Sequence, residues 1–195
     1  MLFRKSGYSG TAITAVAEAA GVSAETIYAS FAGKRGLLEG VIDATIVGPQ
    51  SSVPLEEQRE AWDAIARHPT ARLRLRAYVT FSCGILARTS PIHHIIRGAA
   101  DGEPFAVELR SRLLKERLES NATHLRDYIG SELRAGLTLR EAAERYCALT
   151  SPELQHLLTV DLRWSLRAYE RWVAALAEQD LLGLPDVQSQ RMSVP

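Results

Sequence analysis

The sequence predicts an all-α protein in which an N-terminal helix-turn-helix domain precedes a larger helical domain. Apolar residues recur at helical spacing along the chain, capping residues precede several of these apolar segments, and Gly and Pro separate them. The chain has 195 residues, of which 46% are hydrophobic, so it can bury a sizeable core. We therefore expect one small helical domain joined to one larger one.

The first helix of the helix-turn-helix is predicted to begin after Thr11. The Thr11 side chain is the expected N-cap, because its oxygen can accept a hydrogen bond from a free backbone N–H of the first turn. Gly21 is expected to end this helix in the left-handed conformation, which costs glycine little. Four apolar residues lie on one helix face, at i, i+3, i+4 and i+7: Ile13, Val16, Ala17 and Ala20.

The second helix of the pair is predicted to begin immediately after the turn. Ser23 is its expected N-cap, and Glu25 places a negative charge in the first turn, where the helix dipole favours it. Ile27 and Phe31 are four residues apart and are expected to face inward. The residues left facing outward or to the flanks are Ala24, Thr26, Tyr28 and Ala29.

Two short helices joined by so tight a turn cross steeply, and this arrangement can place the second helix in a DNA major groove. An ordinary antiparallel helix pair within an all-α core would have the same spacing. The spacing alone therefore leaves both interpretations open.

Residues 7–41 read GYSGTAITAVAEAAGVSAETIYASFAGKRGLLEGV. They resemble the DNA-binding domain of the tetracycline-repressor (TetR) family in the Gly-Tyr pair, the Thr that opens the second helix and the Ala-Gly-Val-Ser turn. Two further patterns match, Thr-x-Tyr-x-x-Phe and Lys-x-x-Leu-Leu. The resemblance covers the chain from Phe3 to about Val47.

This resemblance implies a homodimeric transcriptional repressor that binds a palindromic operator in double-stranded DNA and is released by a small-molecule inducer. Residues 1–47 would form the DNA-binding domain. Tyr28 would contact mainly phosphate, and Lys34 would bind a phosphate at the start of the fourth helix, where free backbone N–H groups also attract an anion. The DNA-binding residues implied by the resemblance are Thr11, Thr14, Ser23, Ala24, Thr26, Tyr28 and Lys34.

Two features depart from the family pattern. Ala24 and Glu25 stand where the family often has Lys and Gly, so base reading would depend on Thr26 and on apolar contacts such as an alanine against a thymine methyl. The chain also begins at Met1, and its first residues match only the last turn of the family's first helix. We expect the chain as written to bind its operator more weakly than a chain extended to restore that helix.

The charge of the protein argues against strong phosphate-driven binding. Lys and Arg total 23 and Asp and Glu also total 23, which gives a formal net charge of +0 at pH 7. Proteins that bind DNA through phosphates usually carry a basic excess. The alternative interpretation is therefore a TetR-like ligand-binding dimer that has lost DNA binding.

The sequence does not indicate an enzyme, because no Ser/His/Asp, paired-carboxylate or metal-ligand set occurs at a recognisable spacing. His93 and His94 are adjacent, and side chains of adjacent helical residues diverge too far to share one metal ion easily. Cys83 and Cys147 lack metal-ligand spacing and are expected to be reduced and buried. We expect no cofactor and no metal. The lack of a membrane-spanning run or signal peptide predicts a cytoplasmic protein with no membrane partner.

The clearest break in the chain lies at residues 48–54, GPQSSVP, and marks the predicted domain boundary. Beyond it, residues 54–182 are predicted to form a helical ligand-binding and dimerisation domain, which opens with a short helix over about residues 55–67. Residues 183–195 are predicted to form a flexible tail.

Longer helices follow in the larger domain. A broadly apolar helix is predicted over residues 70–88, and Pro91 is expected to break or kink it. A second long helix is predicted over residues 104–133, with Pro in the first turn, where its missing N–H costs nothing. Thr138 and Glu141 then have the spacing of a capping box for the next helix.

The larger domain offers candidate ligand-binding residues on these helices. Bulky side chains and side chains with polar tips on otherwise apolar helices are typical of small-molecule pockets. The candidate lining residues are Trp62, Phe81, His93, Phe105, Tyr128 and Tyr146.

The last predicted helices carry an aromatic-rich apolar stripe. Such a stripe is either core or a dimer interface, because aromatic residues are enriched at interface centres. The TetR family pairs its last two helices in a four-helix bundle, which favours the interface. The candidate interface residues are Leu154, Leu158, Trp164, Tyr169, Trp172, Val173 and Leu176.

Overall fold

The computed structural model of the protein describes residues 2–48 and 59–184. Within these ranges the chain forms helices and no β-strand, which confirms the all-α prediction. The helices of the described residues are α1 (Leu2–Ser6), α2 (Ile13–Ala20), α3 (Ala24–Phe31), α4 (Lys34–Val47), α5 (Arg59–Ala66), α6 (Ala71–Ala99), α7 (Pro104–Ile129), α8 (Leu139–Leu149), α9 (Pro152–His156) and α10 (Leu166–Leu182).

The described residues form two compact units. The first unit contains residues 2–48 and 88–112, and the second contains residues 59–87 and 113–184. α6 and α7 therefore each contribute residues to both units. The predicted domain limits, 1–47 and 54–182, remain predictions. The centre of the predicted boundary, residues 49–54, and residues 185–195 of the predicted tail lie outside the described residues.

The core of the first unit is built on α4. Leu38 and Ile42 of that helix are 0% and 2% exposed, and Ile96 of α6 is 0% exposed. The Arg88 guanidinium donates hydrogen bonds to the backbone carbonyls of Thr45 and Ile46, both at 3.2 Å. These bonds satisfy carbonyls that the last turn of α4 leaves without helical partners.

The start of α2 differs from the prediction, because Thr11 is not its N-cap. Ala12 occupies the cap position and makes no side-chain cap hydrogen bond. The Thr11 hydroxyl instead donates to the Gly7 carbonyl at 2.6 Å, and the residue is 2% exposed. Gly21 ends α2 as predicted, in the left-handed conformation with φ 68°.

α3 is held by its cap and by a single buried residue. Ser23 is the N-cap as predicted, and its Oγ accepts a hydrogen bond from the Thr26 backbone N–H at 3.2 Å. Ile27 is the one residue of α3 that is fully buried, at 6% exposure. Phe31, which the spacing predicted to face inward, is 36% exposed, and its ring lies beside Gly40.

The approach of α4 to the end of α3 requires a glycine. A Cβ placed on Gly36 would overlap the backbone carbonyl oxygen of Phe31. Backbone atoms cannot move aside as a flexible side chain can, so we expect any larger residue here to separate the two helices.

The long helices also differ from the predictions at particular points. α6 continues through Pro91, which the sequence predicted would break or kink the helix. A proline inside a helix removes one N–H donor, and α6 remains continuous despite that loss. α7 ends at Ile129, before the predicted end at residue 133, and a 3₁₀ turn over Gly130–Glu132 follows. The Thr138–Glu141 capping box forms as predicted.

The core of the second unit is formed by α6, α7, α8 and α10. Its most completely buried large side chains are aromatic or aliphatic residues that point inward from these four helices: Leu75, Val79, Leu125, Ile129, Tyr146, Tyr169, Val173 and Leu181. A short π-type turn over Leu157–Asp161 follows α9 and leads towards α10.

One carboxylate is buried beside this core. The Glu178 side chain on α10 is 4% exposed and forms ion pairs with two arginines of α6, Arg72 at 2.8 Å and Arg76. The two arginines are one helical turn apart, so both reach the same carboxylate. This triad joins α6 to α10.

Candidate nucleic-acid interface

The helix-turn-helix is formed by α2 and α3. The left-handed Gly21 reverses the chain, and the Val22 backbone N–H donates to the Ala17 carbonyl at 3.0 Å to close the turn. The connection is short, and α3 begins directly after its N-cap residue, Ser23. The residues thus form the pair of short helices joined by a tight turn that the sequence predicted.

The outer face of α3 carries the predicted readers. Thr26 is exposed, and Tyr28 is 56% exposed. Ala24 is half-buried, and the exposed Ser23 is occupied as the cap. Because Ile27 takes the inward position, the side chains on the opposite side of this helix are available to a partner.

Glu25 adds a negative charge to this face. The backbone N–H of Glu25 and the Ser23 hydroxyl lower the pKa of the Glu25 carboxyl, which is therefore ionised at neutral pH. An anion in the first turn suits the helix dipole but opposes an approaching phosphate. The outer face of α3 therefore offers hydroxyl and apolar groups rather than cations.

Lys34 lies at the start of α4, as predicted. Its Nζ donates to the Thr11 carbonyl at 3.0 Å and to the Ser9 carbonyl at 3.4 Å, and lies 4.5 Å from the centre of the Tyr8 ring. Lys34 thus fixes the loop before α2 to the N-terminus of α4. Thr14 is exposed, whereas Thr11 turns its hydroxyl inward. The buried Thr11 side chain is a poor candidate for the DNA backbone contact that the resemblance implied.

The sequence of this region matches a known family. Residues 1–41 match the family model described as "Bacterial regulatory proteins, tetR family". Over these residues the chain is similar to the tetR family. No protein with a curated function matches the sequence.

Solved structures extend the likeness beyond the tetR-family domain. A protein of Rhodococcus sp. assigned to the TetR family of transcriptional regulators has a TM-score of 0.68 at 18% identity, with 92% of each chain covered. A Clostridium perfringens protein assigned as a fatty acid metabolism regulator has a TM-score of 0.63 at 18% identity, with 94% of each chain covered. The TetR family regulator PfmR of Thermus thermophilus has a TM-score of 0.57 at 18% identity, with 94% of each chain covered. The chain has the fold of TetR-family transcriptional regulators.

The six candidate ligand-lining residues are divided between the two units, and their ligand-binding role remains a prediction. His93 and Phe105 belong to the first unit, where the Phe105 ring packs 4.9 Å from the Tyr8 ring, next to the tetR-family helix pair. The other four belong to the second unit. There Trp62 and Phe81 pack against each other with ring centres 4.5 Å apart, and Tyr146 is completely buried. The spacing could not reveal this division, because α6 and α7 serve both units.

The first unit contains an apolar cavity that the sequence did not indicate. Its volume is about 260 Å³, and its lining includes Phe3, Val16, Leu37, Val41 and Ile92. All of these residues belong to apolar helix faces, which core packing alone would explain. A pattern of this kind carries no signal that separates a filled core from a cavity.

An aromatic cluster in the second unit contains residues that the sequence analysis missed. His124 of α7 stacks on Trp62 with ring centres 4.0 Å apart, and Tyr78 of α6 lies 5.5 Å from His124 and 5.1 Å from Tyr146. Burial raises the pKa of Tyr78 and of Tyr146. Burial also raises the pKa of Tyr128 to about 12, so these phenols are all neutral at physiological pH.

The candidate dimer residues also divide into two groups. Tyr169 and Val173 are 0% exposed within a single chain, where they belong to the core of the second unit, and their interface role remains a prediction. Leu158 is also buried, at 8% exposure. Leu154, Trp172 and Leu176 are half-buried, and Trp164 is exposed and contacts Trp172 edge-on at 6.0 Å. The interface role of these last four residues remains a prediction.

A surface that we term the 157–166 patch surrounds Trp164. Five large apolar residues within this segment are each at least 37% exposed: Leu157, Val160, Leu162, Trp164 and Leu166. Several exposed large apolar residues within one short segment are typical of protein–protein contact sites.

The predictions about the two cysteines and about metal binding can be compared with the described residues. Cys83 and Cys147 are buried free thiols, and burial raises the pKa of the Cys83 thiol to about 12. Within residues 2–48 and 59–184, no three His, Cys, Asp or Glu side chains are grouped as a metal site would require. No helix in the same ranges combines the length and apolar character that crossing a bilayer demands.

Proposed function

We propose that this protein is a DNA-binding transcriptional repressor. The observation that carries the proposal is the orientation of α3, whose Ile27 is buried while Thr26 and Tyr28 face outward from a tetR-family helix pair. A helix presented in this way can enter a major groove with its exposed residues against base edges and phosphates. Thr26 supplies a hydroxyl for base edges, and Tyr28 supplies a hydroxyl for phosphate.

The repressor acts as a homodimer on a palindromic operator. Two copies of α3 enter successive major grooves when they lie about 34–36 Å apart, one turn of the DNA helix. The 157–166 patch and the neighbouring Trp172 supply apolar surface for the contact between copies. In a symmetric dimer both subunits contribute the same patch, so this surface has to be self-complementary.

A small-molecule inducer releases the repressor from DNA. An inducer that binds more tightly to the DNA-free conformation lowers operator affinity by the ratio of its two affinities. The second unit is the proposed binding region, because its buried aromatic cluster contains polar groups within an apolar surround.

Operator binding is tested by titrating the purified protein, at fixed salt, with the DNA upstream of its own coding sequence. We expect Thr26→Ala to lower the affinity of the dimer about thirtyfold, because each of the two copies of α3 loses one hydrogen bond worth about 1 kcal/mol. The substitution keeps the α3 cap, because the Thr26 backbone N–H still reaches Ser23.

The matched control is Thr123→Ala, which removes another exposed helical threonine, in the second unit. Equal affinities of both variants for the operator would contradict the assignment of α3 as the reading helix.

A second candidate function is a ligand-binding dimer that no longer binds DNA. It is favoured by the net charge of +0 and by Glu25, whose carboxylate lies on the proposed reading face. Failure of the protein to bind any segment of its upstream DNA at low salt would favour this function over the repressor.

A further inference from the structure

Two polar contacts lie within the aromatic cluster of the second unit. The Tyr146 hydroxyl donates to Ser82 Oγ at 2.9 Å, and the Tyr78 hydroxyl donates to Asn121 Oδ1 at 2.8 Å. The Asn121 amide thus directs its oxygen towards Tyr78 and its Nδ2 away from it.

The other end of that amide has no acceptor. Asn121 is 5% exposed, and its Nδ2 makes no hydrogen bond within the part of the chain that the structure describes. Buried amide groups are nearly always paired, since an unpaired donor in an apolar surround is costly. A protein that retains such a donor can use it to bind an acceptor from outside.

Asn121 and His124 are three residues apart on α7, so their side chains lie on the same face of that helix. Tyr78 joins Asn121 to the stacked pair of His124 and Trp62. Trp62 and His124 are both half-buried, and Trp62 is carried by α5, a helix of eight residues. Displacing Trp62 would expose a flat face on His124. Planar molecules gain most from such a face.

The charges near the cluster favour a neutral ligand. The Arg74 guanidinium donates to the Tyr128 carbonyl at 2.5 Å and pairs with Glu132 at 2.8 Å, so its charge is already balanced. Asn121 offers a dipole and no charge. A buried anion would need a cation of its own, because transfer of an unpaired charge into an apolar site is very unfavourable.

We propose that Asn121 Nδ2 is the hydrogen-bond donor that recognises the carbonyl oxygen of a neutral, planar aromatic ligand, which takes the place of Trp62 against His124. The proposal rests on the proposed function in one respect, since this ligand would be the inducer class of the repressor. It does not require that the protein bind DNA.

The test compares two probe molecules of nearly equal shape, acetophenone and α-methylstyrene, in which a CH₂ group replaces the carbonyl oxygen. Calorimetric titration of the full-length protein should give at least tenfold tighter binding of acetophenone. Asn121→Leu should bring the ratio of the two affinities close to one, because it keeps the volume and removes the donor. Benzoate should bind more weakly than acetophenone to the wild-type protein.

A second variant separates recognition from folding. Tyr78→Phe removes the bond to Asn121 Oδ1 but keeps the Nδ2 donor, so the preference for acetophenone should persist even where the melting temperature falls. An equal ratio of affinities in the wild type and Asn121→Leu, loss of the preference in Tyr78→Phe alone, or no binding of acetophenone at millimolar concentration would overturn the proposal.

The same experiment distinguishes the two proposals from each other. Operator binding without a preference for acetophenone would remove the ligand proposal and leave the repressor. A preference for acetophenone without operator binding would leave the ligand site and favour the ligand-binding dimer.

Discussion

At the scale of single residues, two kinds of acceptor compete for the Lys34 ammonium group. In the structure it donates to the carbonyls of Ser9 and Thr11, and in a DNA complex a phosphate would compete for the same ammonium group. Each phosphate contact releases counterions, so the logarithm of affinity falls with the logarithm of salt with a slope of about −0.9 per contact.

We expect Lys34→Met to reduce the magnitude of that slope by about 0.9 for each Lys34 in the bound complex. Operator titrations at several salt concentrations measure the slope. Lys34→Arg keeps the charge and should keep the slope. A slope unchanged in Lys34→Met would show that Lys34 only fixes the loop before α2.

Glu178 allows a second test at this scale, because burial is unequal within its triad. The Glu178 side chain is 4% exposed, whereas the side chains of Arg72 and Arg76 are 35% and 50% exposed. Removing both arginines leaves a buried charge without partners, whereas neutralising Glu178 leaves two charges that can reach water.

We therefore expect the double variant Arg72→Met/Arg76→Met to lower the free energy of unfolding by about 3 kcal/mol, and Glu178→Gln by about 1 kcal/mol. Urea denaturation gives both values. Arg140→Met is the control, because the Arg140 side chain is 87% exposed and should contribute almost nothing. A larger loss of stability in Glu178→Gln than in the double variant would contradict this account of the triad.

At the scale of helices, the predictable features are those that depend on neighbouring residues. Ser23 and the Thr138–Glu141 pair cap their helices through groups three residues away, so a short sequence pattern contains both partners. Thr11 was mispredicted because its side chain is turned inward, where its hydroxyl donates to the Gly7 carbonyl, and the cap position falls on Ala12. A local pattern does not show which way such a side chain turns.

Features that depend on distant residues could not be predicted. The sequence places Tyr169 and Val173 on an apolar stripe. The pattern does not show whether such a stripe packs against the chain's own core or against a second copy. Asn121 looks in the sequence like any polar residue of a long helix. Only the position of Tyr78, on a different helix, identifies it as buried.

The helices of the second unit also set its response to alkali. Burial raises the pKa of Tyr128 from 10.0 to about 12, and it raises the pKa of Tyr78 and Tyr146 as well. Between pH 10 and 12 the unfolded chain loses these protons while the folded chain keeps them, so stability is complete below pH 10 and falls as pH rises.

We expect the free energy of unfolding to decrease from pH 9.5 to pH 11.5, and Tyr128→Phe to reduce that decrease. Urea denaturation across this range measures stability, and absorbance at 295 nm follows the phenolates. A stability that stays constant over this range would mean that the phenols are accessible in the folded protein.

At the scale of the whole molecule, the proposed dimer can be tested apart from the fold. Leu162 belongs to the 157–166 patch and is 57% exposed in the single chain, so a charge there should not disturb the core. We expect Leu162→Glu to convert the dimer into a monomer by light scattering, because a charge would be buried without a partner at the interface.

The control for this prediction is Leu114→Glu, which places the same charge on an equally exposed leucine of α7, 54% exposed and outside the patch. A Leu162→Glu protein that keeps the dimer mass would place the interface elsewhere. Loss of the dimer in Leu114→Glu alone would place it on α7.

Ile27, the one buried residue of α3, has a consequence for how this protein can change its target. Most mutations that alter specificity also threaten stability, because they fall on residues that serve both. Here the reading positions and the anchoring position are different residues, so variants at Thr26 or Tyr28 can accumulate without unfolding the domain. Such a helix is open to evolutionary drift and to laboratory selection for new operators.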